Sequence, residues 1–210
     1  MALTEPMTVA TDYLLAAVAI FLGWSLWALG RRVRQSSTES WGKAMLATAA
    51  AAIAGGTWHG FNQAMPPAAS AIVWKTALLA IGVASFFMLA AAIMATIPRI
   101  VGHWLLAAAV LKLIVYVVWM LGHDEFFWVV YDYGSAMIFV LAVYAYRMIF
   151  SRDPAARAIV LGVLVSFAAA WIQRSDLSVG TFLNHNDLYH LTQIAALFAF
   201  HSGAQRIRED

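Results

Sequence analysis

Seven apolar runs set the pattern of the chain: roughly Tyr13–Gly30, Ala44–Phe61, Ile72–Ile97, Ile100–Leu121, Phe126–Ile149, Ala156–Gln173 and Asp187–Ser202. At a rise of ~1.5 Å per residue, each run is long enough as a helix to cross a hydrocarbon layer of about 30 Å. Short polar connections separate them, and nothing the length of a soluble domain or a long linker is left over. The pattern predicts one all-α domain over 1–210, a seven-helix transmembrane bundle. Alanine clusters (Ala49–Ala52, Ala107–Ala109, Ala168–Ala170) and the Gly55-Gly56 pair predict close helix–helix approach. No internal repeat is visible, so an inverted-repeat transporter has no direct support.

The polar positions add an orientation. Arg31, Arg32, Arg34 and Lys43 fall between the first two runs, Arg99 between the third and fourth, Arg147, Arg152 and Arg157 between the fifth and sixth, and Arg206 and Arg208 after the seventh. With seven spans all of these lie on one side, which the positive-inside bias makes cytoplasmic. The N-terminus is then expected outside and the C-terminus inside. His59, His123, His185 and His190 fall on the outer side, with Asp12, Asp124, Glu125, Asp132, Asp176 and Asp187. His103 and His201 lie toward the inner one.

Composition agrees with the pattern. Of 210 residues, 63% are hydrophobic and 11% charged, where a soluble domain carries about a quarter charged residues. Nine tryptophans and seven tyrosines suit interfacial belts. The absence of cysteine excludes disulfides, thiolate metal sites and cysteine nucleophiles. No Gly-rich phosphate loop or basic aromatic nucleic-acid surface is present. Met1–Thr11 lacks a basic n-region and a small-residue cleavage site, so no cleaved signal peptide is expected. A bacterial inner membrane fits the basic-inside pattern and the missing cysteines.

Candidate chemistry gathers on the outer side. Asn184-His185-Asn186-Asp187-Leu188-Tyr189-His190 opens the last run, and ionisable groups at the mouth of a membrane helix suggest function unless they are paired. The competing structural reading is an N-cap: Asn184 capping, Asp187 favourable at the positive helix end. In the second run, Gly55-Gly56-Thr57-Trp58-His59-Gly60-Phe61-Asn62-Gln63 would put Asn62 and Gln63 on the face of His59 if the helix continues. His59 and His190 with one more donor would make an open zinc site whose vacant position holds an acidified water. His185 or Asp187 is the candidate third donor. Asp132, about two turns into the fifth run, needs a partner at that depth, with Lys75, Lys112 and the flanking tyrosines as candidates.

Trp58-His59-Gly60 and Asn186-Asp187-Leu188-Tyr189-His190 resemble the second-span and seventh-span motifs of the seven-span hydrolase superfamily that groups alkaline ceramidases with the progestin and adipoQ receptors. That resemblance implies a zinc-dependent hydrolase of a lipid amide or ester. Its metal would be held by His59, His190 and His185, with Asp187, Asn186 and Ser70 at or beside the assisting positions. Three positions depart from the family pattern: Gly55 stands for a serine, Ser70 for an aspartate, and Asn186 for the first histidine of the closing pair. Those departures favour a second reading, a non-catalytic receptor or assembly subunit that binds lipid or another ligand. A bis-histidine haem protein using His59 and His190 is the third. A transporter or channel would rest on Asp132 and Lys112 alone. The partners expected are membrane lipid, and a second copy of the chain or another membrane subunit.

Overall fold

The computed structural model describes residues 3–175, 177–180 and 183–209; Asp176 lies outside them. Seven helices follow one another: α1 (Pro6–Val33), α2 (Ser36–Phe61), α3 (Pro67–Thr96), α4 (Arg99–Leu121), α5 (Phe126–Phe150), α6 (Pro154–Arg174) and α7 (His185–Ala204). Among the described residues the only other pairing is an isolated bridge between Val179 and Leu183.

The helices run past the apolar stretches because their starts and stops are set by local chemistry. Proline opens α1, α3 and α6 at a position whose N–H has no helical partner anyway. Asp153 accepts from Ala155 N at 2.8 Å and caps α6. Asn184 and Asp187 form a reciprocal capping box at the head of α7. Arg34 ends α1 in the left-handed region (φ 57), its N–H returning to Gly30 O. Only Arg34 and Gln35 therefore separate α1 from α2. Lys43, expected in a loop, is helical and pairs with Glu39 at 2.8 Å, one turn back.

Short connections make consecutive helices antiparallel. Six of them close a ring: α1 against α2 and α7, α2 against α3, α3 against α5, α5 against α6, and α6 against α7. The fourth helix packs outside the ring on α3. One end of the bundle, here the histidine rim, carries the starts of α1, α3, α5 and α7 and the ends of α2, α4 and α6. The opposite end is the arginine rim. The main core fills the half nearer the arginines, where Trp41 stacks on Phe200 at 5.2 Å among Leu26, Met137, Tyr144 and Ile159.

Five helices, α1 and α3 to α6, are long and apolar enough to cross a membrane. Seven spanning runs were expected. α2 and α7 have comparable length but more polar side chains, several of which bond to α1: Thr57 to Tyr13, Asp187 to Thr8, His190 to Thr11, and His201 to Ser25. The outside of the bundle is apolar instead. On α4, Ile100 and Trp104 are 83% and 78% exposed, with Leu111, Val118 and Leu121 also outward. A monomer in water does not ordinarily expose so continuous an apolar face, and a bilayer would cover it.

Candidate functional site

Three helices meet at the histidine rim around His190. From α7 its ring reaches into α1, where Nε2 lies 3.1 Å from Asp12 Oδ1 and Nδ1 lies 3.0 Å from Thr11 Oγ1. The Thr11 hydroxyl donates to Thr8 O. It therefore accepts from His190 Nδ1–H, and a single proton is shared between His190 Nε2 and Asp12 Oδ1. Wherever that proton rests the pair carries no net charge, which suits two side chains that are 6% and 4% exposed.

The same face of α1 holds the start of α7. Thr8 Oγ1 donates to Asp187 Oδ1 at 2.9 Å, while Asp187 Oδ2 accepts from Asn184 N at 2.9 Å. Asn184 Oδ1 in turn accepts from Asn186 N and Asp187 N. One oxygen of Asp187 thus ties α7 to α1, and the other closes the capping box of α7.

The glycine pair of α2 makes room for Asp12. A Cβ on Gly56 would come within 2.8 Å of Asp12 Cβ, and one on Gly55 would face the Asp12 carboxylate at 3.8 Å. His59, one turn beyond Gly55, places Nδ1 3.1 Å from Glu5 Oε2, but the alignment makes no hydrogen bond. Asp12 Oδ2 is also buried without a hydrogen-bond partner. Two polar atoms on facing helices are therefore without hydrogen bonds, a condition buried polar groups rarely tolerate unless something else satisfies them.

Both residues border a cavity of ≈ 520 Å³ in the centre of the ring, with Gly55, Asn186, Arg174 and His190. Its walls continue into a narrower chamber of ≈ 140 Å³, deeper in the bundle and mostly apolar, bounded by Met137, Phe167, Leu197 and Phe200, with Ser166 and Gln193 also in its wall. Leu15, Ile81, Phe126 and Tyr189 line both. Polar groups at the rim and hydrocarbon beyond make an amphiphilic space.

A model of a family of unknown function, DUF6962, matches residues 7–209. The chain belongs to this family. No curated protein matches it, and no solved structure does. The match in this DUF6962 chain runs through all seven helices, so the cavity and everything that lines it lie inside the family region.

Of the residues singled out in the sequence, the cavity of this DUF6962 member brings together His59, Asn186 and His190. Asp187 does not line it and is engaged in the capping box of α7. His185 is the first residue of α7, and Ser70 lies in the first turn of α3; neither lines the cavity. α2 ends at Phe61, so Asn62 and Gln63 leave the helix and do not hydrogen-bond His59.

Among the described residues no group of three His, Cys, Asp or Glu side chains could hold one ion. Both nitrogens of His190 are engaged by α1, where a ligating histidine needs one nitrogen directed at the metal.

The sequence places Asp12 on the outer side without a partner, and it singles out neither Thr11 nor Glu5. Thr8, Thr11 and Asp12 recur at helical spacing on one face of α1, a polar stripe just ahead of the first apolar run. That stripe was the available signal.

Proposed function

We propose that this chain is an integral membrane protein that binds a lipid amide or ester inside its helix ring. The observation carrying the reading is the pair of buried atoms without hydrogen bonds, Asp12 Oδ2 and His59 Nδ1, at the polar end of a cavity that continues into an apolar chamber. An amide N–H or hydroxyl of the ligand donates to Asp12 Oδ2, while its polar group reaches His59. The acyl chain occupies the space bounded by Phe167 and Leu197. This is the lipid-binding alternative of the two leading sequence readings. The arginine rim faces the cytoplasm of a bacterial inner membrane, and both the ligand site and the N-terminus face outward, as the basic-inside bias supports.

Hydrolysis is the second reading, and the proton-sharing Asp12–His190 pair beside the cavity favours it. Asp12 would take a proton from a water attacking the lipid carbonyl, with His190 balancing the charge, and return it to the amine or alcohol as its bond to the carbonyl carbon breaks and the fatty acid is released.

Native mass spectrometry of the detergent-solubilised protein titrated with N-oleoylethanolamine tests the binding. A 1:1 adduct is expected, weakened at least tenfold in Gly55→Leu, which fills the cavity without removing any hydrogen bond; that loss corresponds to about 1.4 kcal/mol. No saturable adduct, or equal binding by Gly55→Leu, would overturn the reading. Release of oleate in the same samples, abolished in Asp12→Asn, would establish hydrolysis. Stoichiometric zinc in the purified protein, lost in His59→Ala, would replace this account with the metal-dependent one.

A further inference from the structure

The arginine rim holds a second cavity, unrelated to the first, of ≈ 730 Å³. Four guanidinium side chains from three segments converge on it: Arg147 near the end of α5, Arg152 in the turn to α6, and Arg206 and Arg208 in the tail after α7. Its remaining wall is partly apolar, with Leu29 and Val33 from the end of α1 and the buried Ile207 beneath.

Of the described acids at this rim, Asp153 is the one that lines the cavity, where it pairs with Arg147. Asp153 holds Arg147 at 3.1 Å and caps Ala155 N, Glu209 accepts from Ser37 N, and Glu39 holds Lys43. Arg147 also donates to Ala95 O. Among the described residues no carboxylate lies within salt-bridge distance of Arg152, Arg206 or Arg208. Arg152 is held in the left-handed region (φ 50), in the turn that brings its side chain to the cavity. A basic face is the ordinary signature of a cytoplasmic side. That bias accounts for the number of arginines, but it does not require three segments to aim them into one concavity with an apolar wall.

We infer that this cavity is a binding site for a phosphate group. Guanidinium groups are suited to it, because their planar donors meet phosphate oxygens in pairs. Two sources share the chemistry. One is the headgroup of an anionic phospholipid, whose first acyl carbons would lie along Leu29 and Val33. The other is phosphate free in solution. The apolar wall beside the arginines favours the lipid.

The test is native mass spectrometry of the intact protein in neutral detergent, titrated with dioleoyl phosphatidylglycerol and, as the phosphate-free control, with dioleoylglycerol. Sodium phosphate is titrated in parallel and read by the shift it causes in thermal unfolding. The variant is Arg152→Gln/Arg206→Gln/Arg208→Gln. All three side chains are exposed, so the unliganded fold is expected to keep its unfolding temperature. Phosphatidylglycerol should bind more tightly than dioleoylglycerol, and the preference should fall by about fivefold for each arginine removed. A preference for the lipid with no response to millimolar phosphate assigns the site to a headgroup. A phosphate-induced stabilisation that the triple variant loses, with no lipid preference, assigns it to the free anion. Equal binding of the two lipids with no phosphate response, or effects that persist in the triple variant, would overturn the inference.

Discussion

At position 12 a carboxylate that would be costly to bury alone becomes part of a neutral pair with His190 and rests over two glycines. Removing one member leaves the other buried without its partner. Such losses cost about 1–3 kcal/mol for a buried hydrogen-bonding group. Asp12→Ala and His190→Ala should each destabilise the solubilised protein on that scale, and the double variant by much less than their sum. A double-mutant cycle on chemical unfolding measures the coupling, expected at about 0.5–3 kcal/mol. Additive losses would show that the two side chains act separately. Gly56 supplies a second check. Its Cβ position is already occupied by Asp12, so Gly56→Leu should cost about 1–3 kcal/mol through overpacking, whereas Gly55→Ala should be tolerated. The glycine pair was legible as a close-approach signal in the sequence. What approached it was not, because Asp12 lies 43–44 residues away and helical period alone does not say which two faces meet.

Among the elements, α4 is the outlier. It packs on α3 and is held to α5 through one partly buried ion pair: Lys112 donates to Asp132 Oδ1, to Asp132 O at 2.9 Å and to Ser85 Oγ at 3.1 Å. The Lys112–Asp132 pairing was one of the candidates open in the sequence. Its competitor Lys75 turns instead to Asp124 and to the carbonyls of Met120 and His123, tying the end of α4 to α3. A single loss at this partly buried pair leaves a charge without its partner, so Lys112→Met or Asp132→Leu alone should destabilise by about 1–3 kcal/mol. The double change should recover most of that. Thermal unfolding of the three variants checks it, and a double variant as unstable as either single one would point to a role beyond neutralisation. Helix identity and order were legible because apolar runs and capping residues are local. The ring was not, since α3 closing on α5 with α4 left outside depends on side-chain fit between distant segments. The capping reading of Asn184 and Asp187 was available from sequence, and the geometry realises it.

For the whole molecule, the two rims make opposite demands. One gathers histidines and acids around a cavity, while the other gathers arginines. The basic-inside bias predicts that they lie on opposite sides of a membrane, and a chain with no cysteine makes the test clean. A membrane-impermeant maleimide applied to intact cells should label Gln63→Cys and leave Arg34→Cys unlabelled until the cells are opened. The reverse pattern would invert the bundle, and labelling of both from outside would remove the membrane-spanning arrangement.

The most direct measurement of the central claim places the acyl chain itself. A lipid amide carrying a diazirine midway along its chain, photolysed on the protein and mapped by peptide mass spectrometry, should mark the inner chamber at Phe167, Leu197 or Phe200. Excess N-oleoylethanolamine should suppress that labelling. Labels confined to the outward face of the bundle, at residues such as Ile100, Trp104 or Leu121, would contradict a ligand inside the helix ring.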